Sequence, residues 1–231
     1  MTTTLITGAN KGLGFETARR LVETGHTVYV GARDAQRGQA AAARLGARFV
    51  QIDVTDEDSV KAAAAFVRED AGRLDVLVNN AGIGGAGKPV GEVTGADMQT
   101  TYDTNVFGVV RVTHAFLPLL KAGDAAVVVN VSSGLGSVAA TADPGRVEFQ
   151  VALLDYNSSK TALVMVTSQY AKAYPAIRFN AVDPGYTATD LNGHRGTNSV
   201  EEGAEIIVRM AAIGADGPTG GFFDTAGPVV W

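Results

Sequence analysis

The sequence predicts a single α/β domain built on an open parallel sheet. Three observations carry this. The chain has 231 residues, enough for one well-cored domain and too few for two large ones. Apolar runs of strand length, the longest at 125–131, lack polar alternation, as strands buried on both faces do. A glycine-rich turn follows the first such run at once and opens a segment of helical spacing.

Composition narrows the function classes. Hydrophobic residues make up 46% and charged residues 19%, which marks a globular chain and not a disordered one. The net charge of -5 argues against a nucleic-acid partner, because phosphate binding needs a basic surface. Cysteine is absent, so disulfides and thiolate metal sites are excluded and a reducing compartment, the cytoplasm, fits. The N-terminal residues lack the basic start and apolar core of an export signal, and no run reaches the roughly 18 apolar residues of a membrane span.

Residues 3–6 read as the first strand. Thr7-Gly8-Ala9-Asn10-Lys11-Gly12-Leu13-Gly14 follows, and a helix is expected from near Gly14, with Phe15, Ala18, Leu21 and Val22 on one side. Strand, glycine turn and helix together point to a nucleotide: the backbone approaches a pyrophosphate and the helix N-terminus favours the anion. The spacing Gly-x-x-x-Gly-x-Gly is one residue longer than the usual dinucleotide fingerprint. The second strand, 27–31, leads to Ala32 and Arg33, where an acidic residue would hold a ribose 2′-hydroxyl. A guanidinium there suits a 2′-phosphate, and Lys11 offers a second positive charge, so NADP(H) is expected over NAD(H).

A helix over 34–45 and a strand over 47–52 come next, the strand ending in Asp53-Val54. Asp53 is placed either to accept from an adenine amino group or to cap the helix expected over 56–71, a role open to Thr55 and Asp56 too. The fourth strand, 74–78, ends in Asn79-Asn80-Ala81-Gly82, small residues that permit close approach to a ribose or that simply make a turn. A glycine-rich loop over 83–91 leads to one long helix over 96–120. Asn105 sits inside it, and a mid-helix asparagine, a poor helix former, marks either a kink with a bound water or a tolerated polar residue. His114 reads as structural or surface.

The fifth strand, 125–131, ends in Ser132-Ser133-Gly134. In an open parallel sheet that end faces the ligand crevice, so Ser133 is placed to hydrogen-bond a carbonyl or to cap a turn. A loop with Asp143-Pro144-Gly145 then leads to a helix bearing Tyr156 and Lys160. Four residues apart, these two share one helix face, one turn apart. A phenol beside an ammonium ionises below its free value of about 10, as proton transfer at a carbonyl needs. The sixth strand, 177–182, is followed by Asp183-Pro184-Gly185-Tyr186-Thr187-Ala188-Thr189, a helix over 201–212 and a short last strand over 221–224. His26, His114 and His194 lie far apart, so no catalytic metal is expected. Gly-x-Ser-x-Gly is missing around Ser133, which argues against a serine hydrolase.

Thr7-Gly8-x-x-x-Gly12-x-Gly14, Asn79-Asn80-Ala81-Gly82, Asn105, Ser133, Tyr156-x-x-x-Lys160 and Pro184-Gly185-x-x-x-Thr189 occur in the order of the short-chain dehydrogenase/reductase family. The chain resembles that family over essentially its whole length. Residues 5–19 and 200–222 look like its carbonyl reductase branch. The resemblance implies one NADP(H)-binding domain over 1–231, a doubly wound Rossmann-type parallel sheet of about seven strands with helices on both faces. It also implies roles. Tyr156 is the general acid/base, and Lys160 lowers its pKa and holds the nicotinamide ribose. Ser133 orients the carbonyl, and Asn105 holds a water that relays protons to Lys160. Gly8, Asn10, Lys11, Gly12, Leu13, Gly14, Arg33, Asp53, Val54, Asn79, Ala81, Gly82, Pro184, Gly185, Thr187 and Thr189 line the cofactor, with Thr189 at the carboxamide. The expected activity is NADPH-dependent reduction of a small-molecule ketone, aldehyde or quinone. NADP-dependent alcohol oxidation and a non-catalytic dinucleotide sensor are the alternatives. The 23-residue step from Ser133 to Tyr156 exceeds that of many family members and leaves monomer or homo-oligomer open.

Overall fold

A computed structural model describes residues 2–231. Seven strands form one parallel sheet: β1 (Thr3–Thr7), β2 (Thr27–Ala32), β3 (Arg48–Gln51), β4 (Val76–Asn79), β5 (Val127–Val131), β6 (Arg178–Val182) and β7 (Phe222–Phe223), in the order β3-β2-β1-β4-β5-β6-β7. The order reverses between β1 and β4, so the crevice at their C-terminal ends is the switch point where such sheets take ligands.

The helices are α1 (Gly12–Glu23), α2 (Ala35–Leu45), α3 (Glu57–Ala71), α4 (Gly95–Tyr102), α5 (Gly108–Lys121), α6 (Val138–Ala142), α7 (Leu154–Ala173) and α8 (Val200–Ala211). Strand periodicity sorts the core into two layers. Leu5, Tyr29, Leu77, Val128 and Phe179 face α3, α5 and α7, where Val67, Phe116 and Leu120 meet them. Ile6, Val28, Val30, Val78 and Val129 face the other way, onto Leu21 of α1 and Ile206, Ile207 and Met210 of α8. Both faces of β1, β4 and β5 are therefore covered, which is why their sequences read as unbroken apolar runs.

Between β4 and β5 the apolar layers are interrupted by a chain of buried amides and hydroxyls. Asn79 donates to Asn130 Oδ1 at 2.8 Å and to Thr113 Oγ1 at 3.2 Å, and Asn130 donates to Thr167 Oγ1 at 2.8 Å.

Two expectations need correction. The long helix over 96–120 is two helices joined by a π-helical stretch, Asp103–Phe107. Asn105 lies in it, buried, with its amide turned onto the backbone of Ile83, and that pull distorts the ladder. The segment before α7, read as a loop, contains α6, started by Ser137, whose hydroxyl accepts from Ala140 N. None of the helices is long and apolar enough to cross a membrane, among the described residues.

Candidate active site

Five helices start with a side-chain cap: Asp34 on α2, Asp56 on α3, Thr94 on α4, Ser137 on α6 and Ser199 on α8. At α1 the capping position is Lys11, whose side chain caps nothing, and the first turn carries no acidic residue. Its N–H groups open toward the crevice, a ready site for an anion. Gly12 holds φ +55°, and a Cβ there would meet only Thr189, at 3.7 Å, so the turn borders a cleft. Gly14 answers to packing instead: a Cβ would lie 2.5 Å from Asn80 Nδ2 and 2.8 Å from the Gly8 carbonyl. Asn80, a residue the sequence reading left without a role, braces the turn by donating to the carbonyls of Thr7 (2.8 Å) and Gly8 (3.2 Å). Asn10 and Leu13 are half-buried at the same turn. These features fit a dinucleotide pyrophosphate.

At the end of β2, Arg33 is exposed; burial raises the nearby Asp53 carboxyl, and the hydrogen bonds from Thr55, with a smaller effect of the Arg33 charge, hold it below its usual range. Lys11 is not turned toward Arg33 as a second phosphate ligand. Its ammonium pairs with Asp190, just beyond Thr189. Three further expected contacts are redirected. Asp53 is occupied by the backbone and hydroxyl of Thr55 (3.0 and 2.7 Å), and Asp56 caps α3. Val54 is buried beneath Gly108, and its carbonyl accepts from Arg111. Thr187 is buried and donates to the Pro184 carbonyl at 3.0 Å. The Asn79 side chain likewise points into the core, so only its backbone reaches the crevice, beside Ala81 and Gly82. Gly185, at φ +71°, donates to Asp183 Oδ1 at 2.9 Å and turns the chain under Thr189.

The candidate chemical groups meet at the C-terminal end of β5. Ser133 lies two residues beyond that strand, and its hydroxyl accepts from Leu135 N at 3.3 Å while lying near enough to the Tyr156 phenol to act on its ionisation. Lys160 is buried; its ammonium donates to the Val131 carbonyl at 2.8 Å and lies 5.6 Å from the centre of the Tyr156 ring. A Cβ on Gly82 would sit 3.4 Å from Asn105 Oδ1 and 3.7 Å from Lys160 Nζ, so both border one small space. Two serines fix the helix: Ser132 donates to the Lys160 carbonyl at 3.1 Å, and Ser159 donates to the Tyr156 carbonyl at 2.7 Å while accepting from Asn105 at 3.1 Å.

The electrostatics differ from expectation. Lys160 was expected to depress the Tyr156 phenol, but burial pushes it up to about 12, the Ser133 hydroxyl opposing and the Asp183 carboxylate adding to the rise. Tyr156 keeps some exposed surface, but its hydroxyl end is packed in protein. Burial likewise lowers Lys160 to about 8, partly restored by Asp183. The reason is range: the ammonium is drawn to Val131 at the ring's face, and desolvation acts on both groups directly.

The family model for short chain dehydrogenases matches residues 2–199. The chain is 37% identical to a short-chain dehydrogenase of Penicillium roqueforti, over 91% of this chain and 88% of that one. It is 33% identical to the (-)-isopiperitenone reductase of Mentha piperita, over 95% of each, in an alignment of 298 positions, so that relative carries inserted residues this chain lacks. The NADPH-bound carbonyl reductase from chicken fatty liver superposes with a TM-score of 0.88 at 29% identity, covering 100% of this chain and 99% of that one. With a glycine turn, a switch-point crevice and Ser133, Tyr156 and Lys160 at its floor, this chain belongs to the short-chain dehydrogenase family.

Proposed function

We propose that the chain, as one domain over 1–231, is an NADP(H)-dependent oxidoreductase that reduces the carbonyl of a small ketone, aldehyde or quinone to an alcohol. One observation carries this reading: the Ser133 hydroxyl lies near enough to the Tyr156 phenol to act on its ionisation, beside the buried Lys160, whose ammonium lies 5.6 Å from the centre of the Tyr156 ring. NADPH, when bound, supplies the hydride. Tyr156 donates the proton to the carbonyl oxygen, and the Ser133 hydroxyl donates to the same oxygen as negative charge develops on it. Lys160 would hold the nicotinamide ribose when the cofactor is bound. Asn105 Oδ1 keeps one acceptor position toward the space it shares with Lys160 Nζ, which suits a proton-relaying water. A phenol raised to about 12 is protonated at neutral pH, as the donor in a reduction must be, and the cofactor ratio sets which direction runs. The NADPH-bound chicken relative and the exposed Arg33 both favour the phosphorylated cofactor.

NADPH consumption against a panel of ketones, aldehydes and quinones tests the reading. Tight NADPH binding without turnover on any of them would favour a sensor instead. Two substitutions test the assignments. Ser133→Ala is expected to lower kcat by about a hundredfold or more, with NADPH affinity little changed; a near-normal rate would return Ser133 to capping the turn before Leu135. Arg33→Asp is expected to weaken NADPH binding at least about tenfold more than NADH binding, because it places a carboxylate against a 2′-phosphate. Equal losses for both cofactors would refute the role of Arg33.

A further inference from the structure

Two ties of the loop that leaves β4 lie beside the candidate site, apart from the bonds of Asn80 and Ala81 to Thr7 and of Lys88 to Asp97. One is Asn105, which accepts from Ile83 N at 2.9 Å and donates to the Ile83 carbonyl at 3.0 Å. The other is Asp155, the residue before Tyr156 and a carboxylate only 2% exposed. Its Oδ2 accepts from Ala86 N at 2.7 Å and from the Thr101 hydroxyl at 2.7 Å, and its Oδ1 accepts from Tyr156 N at 3.0 Å. Gly85, at φ +81°, lies directly over the carboxylate: a Cβ there would sit 2.7 Å from both oxygens. One side chain thus joins the loop, α4 and the first turn of α7.

We propose that Asp155 is a positioning residue for the reduction, its buried carboxylate clamping the loop after β4 against the catalytic helix so that Asn105, Lys160 and Tyr156 keep one fixed arrangement. The inference rests on the reductase reading above. The geometry gives its logic. Gly82, at the loop's start, faces Asn105 Oδ1 and Lys160 Nζ, while Ala86, four residues on, is held by Asp155. Between these points, among the described residues, no other hydrogen bond joins the loop to α7, while Gly84 packs against Leu191. The clamp needs a carboxylate. All three partners donate, and an asparagine would turn one oxygen into a donor facing a donor. The hydrogen bonds from Thr101 and from the backbone of Ala86 and Tyr156 outweigh burial and keep the carboxyl below its usual range, so it stays ionised at working pH.

Asp155→Asn tests this, with Thr101→Val as a second variant that removes one donor and keeps the charge. Amide hydrogen exchange over residues 83–88 of the free protein is expected to rise about tenfold in Asp155→Asn and less in Thr101→Val, with β5 unchanged. With a carbonyl substrate, kcat is expected to fall about 10- to 100-fold, KM to move less than about threefold, and the isotope effect from 4-deuterated NADPH to increase, because misplaced groups slow the chemical step. Unchanged exchange at 83–88 in both variants would overturn the proposal. So would a rate loss that follows the folded fraction with the isotope effect unaltered, since that is what a merely structural residue would give. Tyr156→Phe run in parallel separates the two readings. Activity surviving in Tyr156→Phe refutes the reductase mechanism, whereas an inactive Tyr156→Phe beside a normal Asp155→Asn refutes the clamp alone.

Discussion

Tyr156→Phe is expected to lower kcat for carbonyl reduction by about a thousandfold or more, while the Kd for NADPH stays within about threefold. The ring stays, with its place above Lys160, so packing and the cofactor crevice are conserved. Only the hydroxyl goes, the group on whose ionisation Ser133 acts. No second donor of similar acidity stands at that point: Ser133 is a far weaker acid, and the Lys160 ammonium is turned to Val131. A residual rate of a tenth of wild type would remove Tyr156 from the acid's role. Cofactor binding measured by fluorescence titration separates this from a general loss of fold.

The second large effect joins activity to stability. Lys160→Met is expected to abolish turnover and yet stabilise the protein at pH 7. Burial holds the Lys160 pKa at about 8 in the folded chain, against a reference of 10.5. A lowered lysine pKa means that the unfolded chain binds more protons between those two values. Stability therefore rises with pH across the window from about 8 to 10.5, and below it the buried charge costs about 3 kcal/mol. Methionine fills most of the same volume without charge, but it leaves the Val131 carbonyl unpaired, which offsets about 1–2 kcal/mol. The net gain of about 1–2 kcal/mol corresponds to a Tm higher by about 3–6 °C at pH 7, shrinking at pH 9.5. Thermal melts at the two pH values check this, and an unchanged or lower Tm at pH 7 would refute it. The lysine is then a group retained for chemistry at the expense of stability.

Much of the scaffold was legible because its signals are local. The strand runs, the glycine turn and the helix caps each lie within a few residues, and most of the boundaries read from them fall within about two residues of those observed. The Tyr156–Lys160 spacing was legible for the same reason. Long-range contacts were not. The resemblance implies Thr187 at the cofactor, and its hydroxyl bonds the Pro184 carbonyl; it implies Asn79 there through its backbone, and the Asn79 side chain bonds Asn130. Lys11 is diverted by Asp190, which lies far along the chain. Asp155 carried no signal of its own, since Ala86 and Thr101 are 69 and 54 residues away. The sign of the Tyr156 shift was missed because the depth of a side chain depends on everything packed around it. The π-helical stretch was half legible: asparagine mid-helix signalled a disturbance, and the partner that causes it, Ile83, lies in another loop.

The buried amide chain between β4 and β5 has a consequence for strand register. Runs of valine in parallel strands fit their neighbours almost equally well one step up or down, so apolar packing alone is a poor ruler. Asn79 stands directly opposite Asn130, and their amides bond across that pair. A slip of one residue in either direction would set Asn79 against a valine of β5, break the amide pair in a dry interior and carry Ser133 about 3.3 Å along the strand and onto the opposite face. The alignment of the half of the chain that bears the glycine turn with the half that bears Ser133 and Tyr156 is thus encoded by two buried asparagine side chains.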